Sequence, residues 1–395
     1  MSTKSISLYL HVHQPYRVRH YTIFDAGSDH RYFEAPADHW ANNQNLIRKV
    51  TEKSYLPTNA KLQALLDRHP QFCFSLSLSG TVIEQLEAWA PEALDSFKRL
   101  VDSGRVELLA ETYHHSLAFF YSRGEFESQV AQHSAKLKQV FGVTPSVFRN
   151  TELAYNNDLA AWAEAAGYKA ILAEGWDPVL GWRSPNFVYR PAGTERIRLL
   201  LKNYKLSDDI AFRFGDREWE QWPLTADKFA HWLAAIYPAT LINLFMDYET
   251  FGEHQWAATG IFDFFRRLVE IGFQRPWNSF VTPSSVLEPA RANLSELPIY
   301  DVPQPISWAD VDRDLTAWTE NAFQKDSLRL MYSLEKIVLK AKEPRLLEHW
   351  RRLQTSDHFY YMCTKWAADG DVHAYFSPYE SPYEAYRRFS VVLAD

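Results

Sequence analysis

Cysteine is scarce in this chain: Cys73 and Cys363 are the two among 395 residues, far apart and each set in an apolar stretch. Such a pair makes no disulfide framework and has no zinc-type spacing, so two buried, reduced thiols are expected. Long apolar runs are also missing; none approaches the roughly 20 residues that a membrane span needs. The start, MSTKSISLYLHVHQPY, carries one early lysine and a short apolar run before two histidines. A secretory signal needs a longer apolar segment and a small-residue cleavage site, so a cytoplasmic protein is expected. Charge of one sign is concentrated nowhere: the net −7 is spread along the chain, without a basic tail or an acidic block. No nucleic-acid or membrane partner is expected on that basis. Low-complexity tracts and sequence repeats are absent as well.

Aromatic side chains are what the chain has in quantity, 15% of residues with 14 Trp and 21 Tyr. Many fall in polar surroundings, among them Trp176, Trp182, Tyr189, Trp256, Tyr375 and Tyr379. A sugar-binding cleft needs flat apolar faces for C–H surfaces beside polar groups for hydroxyls. Large cores bury many aromatics too, so composition leaves both readings open.

Runs rich in β-branched and aromatic residues predict strands at 5–12, 72–79, 106–110, 146–150, 170–174, 197–203 and 241–248. Helical periodicity separates most of them, at 59–68, 82–101, 125–141, 159–166 and 226–236, with one more helix at 261–271. Strand and helix in alternation imply βαβ units and a parallel sheet. Seven repeats in about 250 residues favour a closed barrel over an open sheet. From 281 to 309 a Pro-containing stretch reads as a connection wrapping the barrel. Beyond 310 helices dominate, with Leu328, Met331, Leu334 and Val338 at 3–4 spacing. The expected fold is therefore α/β: a (β/α)7 pseudo-TIM barrel over 1–280, the connection, and a helical region over 310–395 that completes the cleft.

Polar residues fall where such a barrel does its chemistry, at the C-terminal ends of strands. His11 and His13 end the first predicted strand. Glu107 lies in the third, Glu152 just past the fourth and Glu174 at the end of the fifth, while Asp247 and Glu249 close the seventh. Charged groups in apolar strands are costly unless paired or used. Glycoside hydrolysis uses two: one carboxylate attacks the anomeric carbon and a second, protonated, donates to the leaving oxygen. The apolar run before Asp247 and the nearby Glu249 favour a protonated Asp247. Arg149, Asn150 and Tyr155 beside Glu152 are groups that hold a carboxylate ionised. Simple pairing with an arginine or lysine is the competing reading for each.

The same residues carry a family resemblance spread over almost the whole chain. Five short segments are similar, in order, to the motifs of the glycoside hydrolase family 57 group of α-amylases and α-glucanotransferases. They are His11-Val12-His13-Gln14-Pro15, Gly104-Arg105-Val106-Glu107-Leu108-Leu109, Arg149-Asn150-Thr151-Glu152-Leu153-Ala154-Tyr155, Met246-Asp247-Tyr248-Glu249-Thr250-Phe251-Gly252-Glu253-His254 and Leu353-Gln354-Thr355-Ser356-Asp357-His358-Phe359-Tyr360-Tyr361. Each segment alone is unspecific; five in the family's order are not. The resemblance implies an incomplete seven-stranded barrel, a helical C-terminal domain and retention of anomeric configuration. It makes Glu152 the nucleophile and Asp247 the general acid/base. It places His11, His13, Glu107, Glu249 and Asp357 around the sugar beside the scissile bond. Glu107 and His11 have a second reading, as a buried network supporting the catalytic pair. Trp176 and Trp182 suit either an aromatic platform or packing on the rim, and His254 either binds substrate or caps the following segment. His114 and His115 receive no role. The implied partner is an α-glucan such as starch or glycogen, with no cofactor and no metal.

Two readings from other classes compete. His11-x-His13 presents two imidazoles on one strand face, a common start to the metal site of a hydrolase or deacetylase. That reading leaves Glu152 idle. A non-catalytic glycan-binding protein would use the same cleft without turnover. Within the enzyme reading, α-amylase and 4-α-glucanotransferase share one intermediate, intercepted by water or by a sugar hydroxyl.

Overall fold

Side chains alternate between two apolar layers along β1 (Lys4–Val12), which is buried on both faces beyond Ser5, and that alternation organises the molecule. Ile6, Leu8, Leu10 and Val12 join the apolar layer beneath the surrounding helices, while Tyr9 packs inside with Phe245, Leu109, Val147, Leu172 and Leu200. In the computed structural model, which describes residues 4–39, 42–274, 278–287, 296–365 and 377–395, nine further strands follow. They are β2 (Phe74–Leu78), β3 (Val106–Leu108), β4 (Val147–Phe148), β5 (Ala170–Glu174), β6 (Val188–Pro191), β7 (Arg198–Lys202), β8 (Leu241–Asp247), β9 (Asn278–Val281) and β10 (Ile299–Tyr300).

Seven of these form a nearly closed parallel ring. β1 pairs with β2 and β8, β2 with β3, β4 with β5, β5 with β7, and β7 meets β8 through Lys202 and Asn243. A lone parallel bridge between Ala110 and Phe148 joins the β3 side to β4. All seven predicted strands are thus present as a (β/α)7 barrel followed by helices. β6, β9 and β10 are additions. β6 runs antiparallel to β7 and carries β10 on its other edge, and β9 pairs with the first half of β1. Pro185 and Gly193 flank β6 and Pro191 ends it, so its short pattern is masked by turn residues.

Local chemistry sets the helix ends. The predicted helix over 82–101 is two helices, Gly80–Trp89 and Pro91–Asp102. Pro91 has no N–H to donate and pushes Ala90 out of the helical region, to φ −149° and ψ 58°. The 19-residue helix Arg123–Phe141 starts at Ser122, whose side chain accepts from the Glu125 N–H, and stops at Gly142 with φ 73°. Cys363 is buried and Cys73 is half-buried, and both are free thiols.

The C-terminal helices include Ala322–Ser333, Glu335–Ala341, Pro344–Leu353, Ser356–Tyr360 and Pro382–Ala394. Leu328, Met331 and Val338 share a core with Trp318, Trp350, Phe359 and Phe389, and with Tyr16, Val18, Tyr21 and Phe33 from the segment after β1. Leu334 packs at its margin. The connecting stretch supplies β10 and Trp308; its residues 288–295, like Tyr375, lie outside the described residues. Among the described residues no helix is long and apolar enough to cross a membrane.

Candidate active site

At the C-terminal end of the ring the side chains that face inward turn from apolar to ionisable. The register sets Tyr9 beside Phe245 and, one inward layer higher, His11 beside Asp247. Beyond the strand ends His13, His115, Glu152, Glu249, His254 and Asp357 complete a cleft of about 560 Å³ that Trp176, Trp308, Tyr204 and Phe212 also line. That is the usual size of a small-molecule site.

Glu152 follows β4 in a tight turn, Thr151–Leu153, with left-handed backbone at both Glu152 (φ 58°) and Leu153 (φ 50°). Non-glycine residues hold this conformation at a cost of about 1–3 kcal/mol, met by the surrounding structure. Here the turn is pinned: the Trp308 N–H donates to the Glu152 carbonyl at 3.1 Å, and Thr151 bonds Thr112 at 2.7 Å. Three donors converge on the carboxylate. His115 Nε2 lies 3.0 Å from Oε1, Ser356 Oγ 3.3 Å from Oε1, and Trp308 Nε1 donates to Oε2 at 2.7 Å. Burial pushes this carboxyl up, but His115 and the Arg149 charge outweigh it and hold Glu152 below the ordinary carboxylate range.

The groups expected to hold Glu152 ionised are therefore largely different ones. Of the three, only Arg149 contributes. The Asn150 side chain donates to the Ala154 carbonyl, and Tyr155 belongs to an apolar cluster with Phe148 and Tyr300.

Asp247 keeps 39% of its side chain exposed to the cleft, with its Oδ1 3.5 Å from His11 Nδ1. Burial raises it, but His11, His254 and Arg149 outweigh burial and hold it below the usual range. The expectation of a protonated Asp247 is met instead by its neighbour. Glu249 is buried, accepts from the Tyr55 hydroxyl at 2.5 Å, and is pushed up to about 8 by burial and by the Asp247 charge. β8 ends at Asp247, and the following turn, Tyr248–Thr250, swings Glu249 into a dry wall of the cleft.

His13 spans two elements: Nδ1 lies 2.7 Å from Ser79 Oγ, and Nε2 lies 3.1 Å from Asp357 Oδ2. Burial, with His115 and His11 nearby, pulls His13 down to about 4 in spite of Asp357. Asp357 comes from the C-terminal region. It reaches the barrel because the Ser356 N–H donates to the His115 carbonyl at 2.9 Å and Ser116 bridges to Thr355. His254 lines the cleft near Asp247 and is pulled down by burial.

Glu107 is not brought to this site. Side chains alternate along β3, so Glu107, Leu109 and Glu111 share the inward face. Glu107 is at the early end of the strand, where it accepts from the Ser284 N–H at 2.9 Å. Glu111, two inward layers further on, is the carboxylate that reaches the site. It is fully buried, 3.2 Å from His11 Nε2, 3.4 Å from His115 Nδ1 and 3.6 Å from Arg149 Nη1. Counting in twos from Glu107 to the strand's C-terminal end would have found it. Glu174 is likewise structural. Lys202 at 3.6 Å and Arg313 at 3.2 Å pair it, and the same two cations pair Asp208 at 2.8 and 2.7 Å.

His115 and Trp308 also escaped sequence reading. His115 stacks against both His11 and His13, with ring centroids 4.8 and 4.0 Å away. Trp308 stands in a stretch without periodicity, so nothing local marks it. Trp176 lines the cleft, whereas Trp182 is 95% exposed and Tyr189 and Tyr379 are buried. His114 is buried against Tyr113, away from the cleft lining. Two groups, His11–Glu111–His115 and His13–His115–Asp357, gather donor atoms within 4.8 Å, as a metal would require. Every imidazole nitrogen in them already faces a hydrogen-bond or ion-pair partner within 3.5 Å.

Comparison with known proteins gives the family. The Glycosyl hydrolase family 57 model matches residues 7–301. A protein of Methanocaldococcus jannaschii named "Putative alpha-amylase" is 42% identical over 363 residues, covering 89% of this chain and 76% of that one. The fold matches a family 57 branching enzyme from Thermococcus kodakaraensis with TM-score 0.72 at 13% identity, over 99% of this chain and 88% of that one. It matches 4-alpha-glucanotransferase from Thermococcus litoralis with TM-score 0.66 at 15% identity, over 91% of this chain but 56% of that longer one. The chain belongs to glycoside hydrolase family 57.

Proposed function

We propose that this enzyme cleaves α-1,4-glucosidic bonds in starch- or glycogen-like glucans with retention, using Glu152 as nucleophile and Asp247 as general acid/base. The observation that carries the reading is the placement of these carboxylates. Glu152 is aimed by three donors, and Asp247, beside His11, lines the same cleft.

A Glu152 oxygen attacks the anomeric carbon as the bond to the leaving oxygen breaks and Asp247 gives that oxygen its proton. Asp247 then removes a proton from water, whose oxygen attacks the anomeric carbon and expels Glu152. Asp247 must enter this cycle protonated. Glucan binding supplies the condition by covering its exposed carboxyl, because loss of water disfavours the charged form. His13, Glu249, His254 and Asp357 hold sugar hydroxyls, and Trp176 offers a face to the ring. The barrel, the segment 281–309 and the C-terminal region form one catalytic unit, since Trp308 and Asp357 come from outside the ring.

Product chromatography on maltoheptaose with a chelator present is the first test. Shorter sugars alone support α-amylase action, the activity named for the 42% identical relative. A ladder extending above and below the starting length means transfer to sugar acceptors, as a 4-α-glucanotransferase does. Activity that returns only with added zinc would point to the metal reading, and binding without products to a glycan-binding protein. Glu152→Gln and Asp247→Asn are each expected to lose at least about 100-fold in kcat while keeping the parent's melting curve. With an activated leaving group, azide should rescue Asp247→Ala as one glycosyl azide anomer and Glu152→Ala as the other; identical anomers would refute the assigned roles.

A further inference from the structure

Glu111 makes no contact with the open cleft: its side chain is fully buried and absent from the lining. One of its oxygens, Oε2, faces His11, His115 and Arg149, while Oε1 has no hydrogen-bond partner. His115 lies between two carboxylates, with Nδ1 toward Glu111 at 3.4 Å and Nε2 toward Glu152 at 3.0 Å. We infer that Glu111 is a positioning residue that acts on Glu152 through His115, by occupying the far nitrogen of the imidazole so that the near one donates to the nucleophile. This rests on Glu152 being that nucleophile.

An imidazole facing a carboxylate at each nitrogen satisfies both only as imidazolium, since the neutral ring has a single N–H. Burial opposes that charge, but the bonds to Glu111 and Glu152 prevail and raise His115 to about 9. The other charged and titratable groups around it are His11 from β1 and His13 just beyond it, Arg149 just past β4, and Asp357 from the helix Ser356–Tyr360. Arg149 opposes the cation and Asp357 favours it, so without Glu111 the balance tips toward the neutral ring. Glu152 would keep a hydrogen bond but lose an adjacent cation.

The direction of the effect separates this from a direct one. Removing a nearby negative charge through space eases ionisation of Glu152, whereas loss of the imidazolium makes ionisation harder. The experiment follows the Glu152 carboxyl by 13C NMR in protein labelled at glutamate, with the signal assigned from Glu152→Gln. Parent, Glu111→Gln, His115→Asn and the double variant are titrated, beside the acid limb of kcat/KM on maltoheptaose. Glu111→Gln is expected to move the Glu152 midpoint up by about 1 to 3 pH units, with the acid limb following. In the His115→Asn background the same substitution is expected to add nothing. An unmoved midpoint, a downward move, or a full additional change in the double variant overturns the inference. If Glu111→Gln does not fold, the 15N shifts of His115 in the parent decide: both nitrogens protonated at pH 7 upholds it, and one neutral tautomer overturns it. The NMR midpoints stand without turnover, so an inactive parent with the expected midpoints would sink the functional reading while the electrostatic link from Glu111 through His115 to Glu152 stood.

Discussion

Trp308 illustrates what one side chain contributes here. Its indole N–H points at Glu152 and its backbone N–H holds the turn that carries Glu152, so one residue aims both the carboxylate and its backbone. Arg149 and Lys202 lie over the ring, 5.0 and 5.3 Å from its centre, and fix its plane. Trp308→Phe keeps most of this packing and removes the side-chain donor. A hydrogen bond to a charged group contributes about 1.5–3 kcal/mol, so kcat/KM is expected to fall about 10- to 100-fold with little change in melting temperature. Unchanged kinetics in that variant would mean that His115 and Ser356 alone aim Glu152. At this scale the sequence was legible where a residue ends or soon follows a recognisable strand, as His11, Glu152 and Asp247 do. It was misleading at Glu107, which has the right face at the wrong height, and silent at His115, whose position after β3 depends on a left-handed turn at φ 51°.

Among the elements, the turn after β8 is the most constrained. It runs from Asp247 past Glu249 to His254 and doubles back at Gly252, which has φ 108°. A Cβ at Gly252 would collide with the carbonyl oxygen of Lys53, in the one-turn π-helix Thr51–Tyr55 that also supplies Tyr55 to Glu249. Gly252→Ala therefore faces both backbone strain and a backbone clash, and a loss of at least about 1–3 kcal/mol is expected in chemical denaturation. The lesion should reach Glu249 and His254 and lower kcat/KM as well. On the strand itself, Phe245 packs edge-on against Tyr9 at 5.5 Å directly beneath the His11–Asp247 layer. Phe245→Ala leaves a cavity there and is expected to cost about 3–5 kcal/mol, read as a lower denaturation midpoint. Strand alternation and the proline break at Ala90 were written locally, because they follow from side-chain period and a missing N–H. β6, β9 and β10 were not, since two to four residues carry too little pattern to stand out from a connection.

For the whole molecule, the buried titratable groups predict a stability maximum bounded on both sides. His13 and His358 are pulled down to about 4 by burial. The unfolded chain binds their protons first, so stability is lost as pH falls from about 6.5 toward 4. Glu249, raised to about 8, and His115, raised to about 9, work in the other direction. Their protonated forms are favoured by the fold, so stability is lost as pH rises, from the ordinary carboxylate range through about 8 for Glu249 and from about 6.5 through about 9 for His115. Melting temperature should peak near pH 6–7, and Glu249→Gln should flatten the fall between pH 6 and 8. A parent curve that rises steadily to pH 9 would contradict this account.

By itself the sequence determined the seven-stranded order, the helical C-terminal region and the family. Those depend on periodicity and on motifs continuous in the chain. Only the tertiary structure decided which further groups surround Glu152. Glu111 with His115, Trp308 and Ser356 come from three separate stretches, and what brings them together is the closing of the ring and the docking of Ser356 on His115. It also decided which carboxyl beside the strand end is held protonated, because that depends on how deeply each is buried and which charges face it.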